Sequence, residues 1–401
     1  EEWLTTPRNV RWKGACSMLA GRERVVRAVC HEEPDAVPVF EPYGVLPPTA
    51  DVILGRPCVA TSEIRGVKLF AKRGDRKYRE VIRRDWRDLV QRLKFDAGPL
   101  ISGTHYRPEA PPRMMGEYSW SIGGAVYRHH PKTGVTLEID SKIMREGSSA
   151  LEEHVKDLEE EGDSEIDEII REFQVDEALA KFWWRLGVLI YASSGTVPVG
   201  ASWLPLFLKC FYLHPELIRR YLKQKTRRVI ITGKIAADLG AELMFIGGDI
   251  AYNYGPMISP KQYRDFLLPE IRAQTDALHK RGVFAFNSSD GNLWPIIEDY
   301  LINSGVDGMM EIQVTADMDL KKLKDLYGEK ICFTGSVDCQ HTLVHGGVRQ
   351  VTEETKKVIE TLSPGGGHIL SSSNSIHAGV KPENFFAMLE AARKYGKYNR
   401  A

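Results

Sequence analysis

Three acidic residues share one local setting, each standing just past a short apolar run: Asp249 after ELMFIGG, Asp290 after VFAFNSS and Glu311 after GMM. Polar and aromatic residues occupy equivalent corners. Glu41 and Tyr43 follow VPVF, Ser193 and Ser194 end GVLIYASS, and Tyr252 and Tyr254 lie beyond Asp249. Asn287 and Ser288 precede Asp290, Gln313 follows Glu311, Ser336 and Asp338 follow KICFTG, and Ser373, Asn374 and His377 follow HIL. Carboxyl, hydroxyl and amide groups of this kind orient a small molecule by hydrogen bonds, and a carboxyl or phenol among them is a candidate proton donor. Trp203, Phe286, Trp294, Met309 and Met310 are near neighbours in the chain, so the set has the make-up of an apolar pocket with a few aimed polar groups. Each residue taken singly has a second reading. Asp249 and Asn287 or Ser288 could cap helices, Asp290 before a glycine could make a turn, and the aromatic and methionine residues could be plain core. Convergence on one face is what separates the two readings.

The elements that must supply that face are a repeated unit: an apolar run, a polar or glycine-bearing corner, then a helical pattern of ten to twenty residues. From residue 240 onward five such units follow, with runs at 242–250, 283–289, 308–313, 330–338 and 368–374. VPVFEPY (37–43) and GVLIYASSG (187–195) predict two more strands, and GVTLEI (134–139) an eighth. Eight parallel βα units predict an α/β fold, a (β/α)8 TIM barrel whose reactive groups sit at the C-terminal ends of the strands. A doubly wound open sheet is the alternative. Residues 1–20 read as a peripheral arm and 21–401 as one barrel domain, with an acidic helical insertion at about 145–180 whose charges predict a solvated face.

The chain's 401 residues carry 54 Lys+Arg against 54 Asp+Glu, so no net field draws it to nucleic acid or anionic lipid. The six cysteines are scattered without a CxxC pair, which argues against a disulfide framework or cysteine zinc knuckle and suits a reducing cytoplasm. No basic-then-apolar leader opens the sequence, which predicts no signal peptide. The uncharged stretch 186–208 is long enough to tempt a membrane-span assignment, but Gly, Pro and Ser in its interior fit a strand, a loop and a new helix better.

Several stretches together resemble the uroporphyrinogen decarboxylase superfamily: GRERVVRAVCHEEPDAVPVF (21–40), GGDIAYNYGPMISPKQYRDFLLPEI (247–271), SGVDGMMEIQ, FTGSVDCQHTLVHGG and GGGHILSSSNSIHAGVKPENFFAML. The resemblance implies a TIM barrel and leaves two chemistries. Members that decarboxylate the porphyrinogen carry an Arg-rich "RQAGRY" after the first strand, to meet a substrate with many carboxylates. Here that position reads EPYGVLPPTADVIL, with no arginine between 41 and 55. The other branch comprises corrinoid-dependent methyltransferases, several of which hold zinc in a "HxCGN" corner and a later cysteine. The matching positions here are Ser288, Ser289, Asp290, Gly291 and Asn292, then Asn374. The usual zinc ligands are therefore absent, although a substitute site on Asp290, Glu311 or His377 is left open.

Within this branch the resemblance points to the aryl methyl ether O-demethylases. It implies transfer of a methyl group from a small methoxylated aromatic compound to cob(I)alamin on a separate corrinoid-binding protein, since the DxHxxG corrinoid motif is missing from this chain. Asp249, Asp290 and Glu311 are then the acid or orienting candidates, Tyr252 and Tyr254 further donors, and Tyr43, Trp203, Phe286, Asn287, Ser288, Trp294, Met309, Asn374 and His377 the substrate-binding set. A decarboxylase or lyase acting on a small aromatic or tetrapyrrole acid is the competing reading. Neither nucleic acid nor membrane is expected as a partner, and a homodimer is allowed.

Overall fold

The structure is a computed structural model that describes residues 19–100, 111–160 and 177–398. Residues 1–18, most of the expected arm, and 161–176, the middle of the acidic insertion, lie outside the described residues.

Seven parallel strands form the central sheet: β1 (Ala97–Pro99), β2 (Leu189–Ser193), β3 (Leu243–Gly247), β4 (Phe284–Ser288), β5 (Gly308–Met310), β6 (Cys332–Thr334) and β7 (His368–Ile369). Each pairs with its neighbour in chain order. A doubly wound sheet would reverse that order at a switch point, so the alternative topology is excluded. Strands such as LMFIG are buried at every position, as strands covered on both faces must be. Helices Pro215–Asp238, Leu268–His279, Val348–Leu362 and Pro382–Tyr395 lie along the chain among them, each with a buried apolar stripe. Proline at the start of several of these helices replaces a backbone N–H that would have no partner.

The sheet is strongly curled. Its edges, β1 and β7, are bridged by one segment, residues 37–40. Val39 pairs in parallel with Leu370, whose N–H donates to the Pro38 carbonyl at 2.9 Å. On the other side the Asp96 N–H donates to the Val39 carbonyl at 3.0 Å, and the Asp96 carboxylate accepts the Val39 N–H at 2.7 Å. In a flat seven-stranded sheet the edges would stand about 29 Å apart, so one strand-width segment can reach both only if the sheet bends round on itself. Arg24 fastens this seam by reaching both Asp96 and Asp35.

Two expectations need correction. Residues 136–140 within GVTLEI belong not to this sheet but to a separate four-stranded antiparallel meander of Arg113–Gly116, Ser119–Ile122, Ala125–His129 and Thr136–Asp140. They are only half-buried, with Leu137 exposed, unlike the fully buried strands of the parallel sheet. Its place is taken by β1, whose sequence AGP carries no apolar run and so gave no signal. The meander stands beside the C-terminal ends of the parallel strands: Glu138 bonds the backbone of Gly200 and Ser202, and Thr133 accepts from the Ala378 N–H.

The stretch 186–208 is indeed a strand, a loop and the start of helix Leu204–Leu213, and no helix of the described residues is long and apolar enough to cross a membrane. In the insertion, helix Ser148–Glu160 buries Ala150, Leu151 and Val155, while Glu152 and Glu159 both pair with Arg220. That acidic face is therefore partly docked rather than wholly solvated.

Replacing Asp96 by alanine leaves the Val39 N–H unpaired and Arg24 with Asp35 alone at the seam, and is expected to lower stability by about 3 kcal/mol, measured by urea unfolding.

Candidate functional site

The acidic residues singled out in the sequence, Asp249, Asp290 and Glu311, stand at the C-terminal ends of β3, β4 and β5, and Asn374 joins them from the β7 corner. Glu311 follows β5 and is buried, with a left-handed φ of 66°. That conformation costs a non-glycine residue about 1–2 kcal/mol and is kept only where surrounding contacts enforce it. The contacts here are polar. Ser288 donates to Glu311 Oε2 at 2.5 Å, Tyr43 meets the Ser288 hydroxyl at 2.7 Å, and Asn374 Nδ2 donates to Glu311 Oε1 at 2.9 Å. Asn374 also reaches Asp290 Oδ2 at 3.4 Å. Its amide orientation is set by the Ser375 N–H, which donates to Asn374 Oδ1 at 2.7 Å and so turns the NH2 group toward the two carboxyls.

All three carboxyl groups hold their protons more tightly than usual. Burial pushes Glu311 up to about 8, with the Asp249 charge adding to it and the Ser288 hydrogen bond opposing it. Asp290 rises to about 6 through burial and then the Asp249 charge, offset by Asn374. Asp249 is raised chiefly by burial. Three such groups titrate as a set, and near neutrality the set keeps a proton. Tyr43 exposes 43% of its surface, yet its hydroxyl lies inside against Ser288, and burial together with Glu311 raises its pKa so that it stays a donor.

The corners are stitched together beneath this cluster. Ser289 accepts the Ile250 N–H, linking the β3 and β4 corners. Gln313 accepts the Gly291 N–H, and its NH2 group lies within hydrogen-bond reach of Asn253, Thr315 and Gln340, which ties four corners to one buried amide. Gly291 is required here: at φ 84° a Cβ would come within 2.7 Å of the Ala251 carbonyl carbon and the Tyr252 nitrogen.

The substrate-binding expectations divide. Tyr43, Ser288 and Asn374 join the cluster. Phe286 lies on the Ser288 face one layer below, edge-on to Phe245 at 6.1 Å, which in turn meets Tyr191 at 5.5 Å; these rings form a floor. Asn287 and Met309 are paired in register and face the other way, toward the helices, where Asn287 donates to the Tyr300 carbonyl. It is Met310 that shares the Ser288 face. Trp203 packs edge-on against Phe207 and Tyr221 in the helix layer. Trp294 donates to the Asp317 carbonyl under the Lys322 ammonium, 3.8 Å from the ring. Both nitrogens of His377 are engaged, with the Cys339 carbonyl and the Gly379 N–H. Tyr252 and Tyr254 stand on an exposed hairpin, 6.1 Å apart and edge-on.

The residues present do not reproduce a zinc set. The matching corner offers hydroxyls, a carboxyl and an amide, His377 is turned to backbone groups, and among the described residues no three His, Cys, Asp or Glu side chains are grouped to hold an ion. Glu41, named from the sequence as a corner residue but given no role there, is buried, and both its oxygens contact Ser372. Its place after VPVF was visible, but its partner lies 331 residues away.

Residues 201–395 match the family model described as uroporphyrinogen decarboxylase (URO-D). A uroporphyrinogen decarboxylase from Pseudoalteromonas atlantica is 24% identical over 193 residues, covering 47% of this chain and 51% of that protein. One from Serratia proteamaculans is 21% identical over 199 residues, covering 48% and 52%. The chain thus spans about half the length of the curated relatives it matches. A solved methyltransferase from Methanosarcina mazei shares the fold, with a TM-score of 0.62 and 18% identity over 94% of this chain and 99% of that one.

Glu311 binds its proton more tightly folded than unfolded, so its contribution to stability is full below its ordinary value of 4.5 and is lost as pH rises through about 8. The Glu311→Gln variant is therefore expected to be more stable than the parent at pH 8 by at least ~1 kcal/mol, with a flatter stability profile between those pH values in thermal unfolding.

Proposed function

We propose that this chain is a methyltransferase of the uroporphyrinogen decarboxylase superfamily, built on a closed (β/α)8 barrel in which residues 37–40 serve as the first strand. It removes the methyl group of a small methoxylated aromatic compound, and the acceptor is cob(I)alamin presented by a separate corrinoid-binding protein. The observation that carries this reading is the buried cluster of carboxyl groups whose hydrogen-bond partners among the described residues are the Ser288 hydroxyl, backed by Tyr43, and the Asn374 amide, with burial raising all three carboxyls.

An aryl methyl ether leaves as a phenol of pKa about 10, so the oxygen needs a proton as its bond to the methyl carbon breaks. Glu311 is the best-placed donor: buried, neutral near pH 7 and held by Ser288 and Asn374. Its proton passes to the ether oxygen, which keeps the bonding electron pair, while the methyl carbon bonds to the acceptor. Asp290 and Asp249 hold Glu311 protonated by their charge, and Tyr43 offers a second hydrogen bond through Ser288. Met310 and the Phe286 face supply apolar contact for the ring. The exposed hairpin with Tyr252 and Tyr254 is where the ring's outer edge or the incoming partner would be met.

The second reading, decarboxylation, is favoured by the family match of residues 201–395. A substrate with several carboxylates would face three carboxyl groups here, and like charges brought together in a buried site repel.

The deciding experiment mixes the protein with cob(I)alamin and a panel of methoxybenzenes and follows the methylcobalamin spectrum. Methyl transfer is expected, with Glu311→Gln slower by about 10²–10⁴-fold as befits loss of a general acid. Carbon dioxide release from an aromatic or tetrapyrrole acid, without methyl transfer, would replace this reading by the second.

A further inference from the structure

Another buried carboxyl group lies outside the cluster. Glu41 follows residues 37–40, the segment that bridges the sheet edges, and is 1% exposed. It has two side-chain polar contacts, both with Ser372, and Ser372 has a third of its own. The Ser372 N–H donates to Glu41 Oε1 at 3.0 Å. The Ser372 hydroxyl lies 2.7 Å from Glu41 Oε2, and the same hydroxyl bonds the Asn374 backbone carbonyl. A serine hydroxyl has one hydrogen, and a carbonyl oxygen has none to give. The hydrogen between Ser372 and Asn374 must therefore come from Ser372. The one between Ser372 and Glu41 can then come only from Glu41.

We propose that Glu41 is a neutral carboxylic acid and a positioning residue: it donates its proton to Ser372, which in turn holds the Asn374 backbone so that the Asn374 amide stays on Glu311 and Asp290. The chain of contacts is continuous, from Glu41 through Ser372 to the Asn374 carbonyl, and from the Asn374 side chain to the two cluster carboxyls. Burial acts in the same direction, lifting Glu41 to about 8 against the opposing hydrogen bonds of Ser372. Among the described residues the titratable groups that face it do not supply a countercharge. Tyr191 is a phenol whose hydroxyl donates to the Pro42 carbonyl, and Cys339 is a thiol that burial lifts to about 11 and that accepts from Ser373. The first segment of the sheet thus sets the geometry of the acidic cluster although Glu41 touches none of its carboxyls. The inference takes that cluster as the reactive site but is independent of which reaction it performs.

The test uses the full chain with Glu41→Gln and Glu41→Ala. Glutamine reproduces a neutral acid at both contacts, its carbonyl accepting the Ser372 N–H and its NH2 group donating to the Ser372 hydroxyl. Infrared difference spectra near pH 7 are expected to show the carbonyl stretch of a protonated carboxylic acid in the parent that Glu41→Gln removes. Glu41→Gln should match the parent in melting temperature at pH 5 and exceed it at pH 9, and should leave the titration of isotope-labelled Asp290 and Glu311 unmoved. Glu41→Ala should shift that titration upward, because Asn374 no longer holds the carboxyls. If Glu41→Ala does not fold, Ser372→Ala is read in its place, with the same upward shift expected. Absence of the infrared band, or a Glu41→Gln protein destabilised at pH 5, would mean that Glu41 is ionised and overturn the proposal. An unmoved cluster titration in both Glu41→Ala and Ser372→Ala would overturn the positioning role. None of these readouts uses methyl transfer, so failure of the proposed reaction leaves them interpretable.

Discussion

The contact on which the site depends is the one residues 37–40 make with both edges of the parallel sheet. Parallel strands about 4.8 Å apart carry their terminal side chains outward in a row unless the row is bent. By pairing with Leu370 on one side and Asp96 on the other, Val39 bends it, and corners separated by two and three strands come into hydrogen-bond range. Asn374 at the β7 corner can then touch Glu311 at the β5 corner and Asp290 at the β4 corner with one amide group. The Asp96 and Arg24 ion pair at the opposite end of this segment is therefore as much a part of the site as the residues that face it.

Burying carboxyl groups beside one another is unfavourable, and among the described residues no cation is hydrogen-bonded to the cluster. Neutral donors surround the cluster instead: the hydroxyls of Ser288 and Tyr43 and the amide of Asn374. The relief that remains is to keep protons. Glu311, in a left-handed backbone conformation that itself costs energy, is pushed further than Asp290. Such concentrations of strain and buried acid cost stability and are maintained where they serve reactivity. The floor of aromatic rings under the cluster sharpens the effect, since Phe286, Phe245 and Tyr191 exclude water from one side of it.

Much of this was legible in the sequence. Runs such as LMFIG mark fully buried strands because a strand covered on both faces must be apolar throughout, and the helices between such runs announce a parallel sheet. The polar corners that end those runs, Asp249, Asp290, Glu311 and Asn374, could be placed at one end of the sheet by polarity of the chain alone. Ala97–Pro99 escaped notice because three small residues following a long helix carry no periodic signal, and GVTLEI drew the wrong assignment because an apolar alternation does not say which sheet a strand joins.

Side-chain direction was beyond sequence. Asn287 and Ser288 are neighbours, yet the pleat sends one to the helix layer and the other to Glu311, and the same alternation separates Met309 from Met310. Trp203, Trp294 and His377 lie close in the chain to reactive corners, but their rings answer to partners that only the packed structure supplies: Tyr221, Lys322 and the Cys339 carbonyl. The amino-acid order by itself determined which residues end the strands and that they share a face, because strand length and burial are local properties. Which of them touch, which keep a proton, and that Glu41 reaches Ser372 across nearly the whole chain, were decided by the curl of the sheet, since pKa values and hydrogen-bond partners are set by neighbours in space.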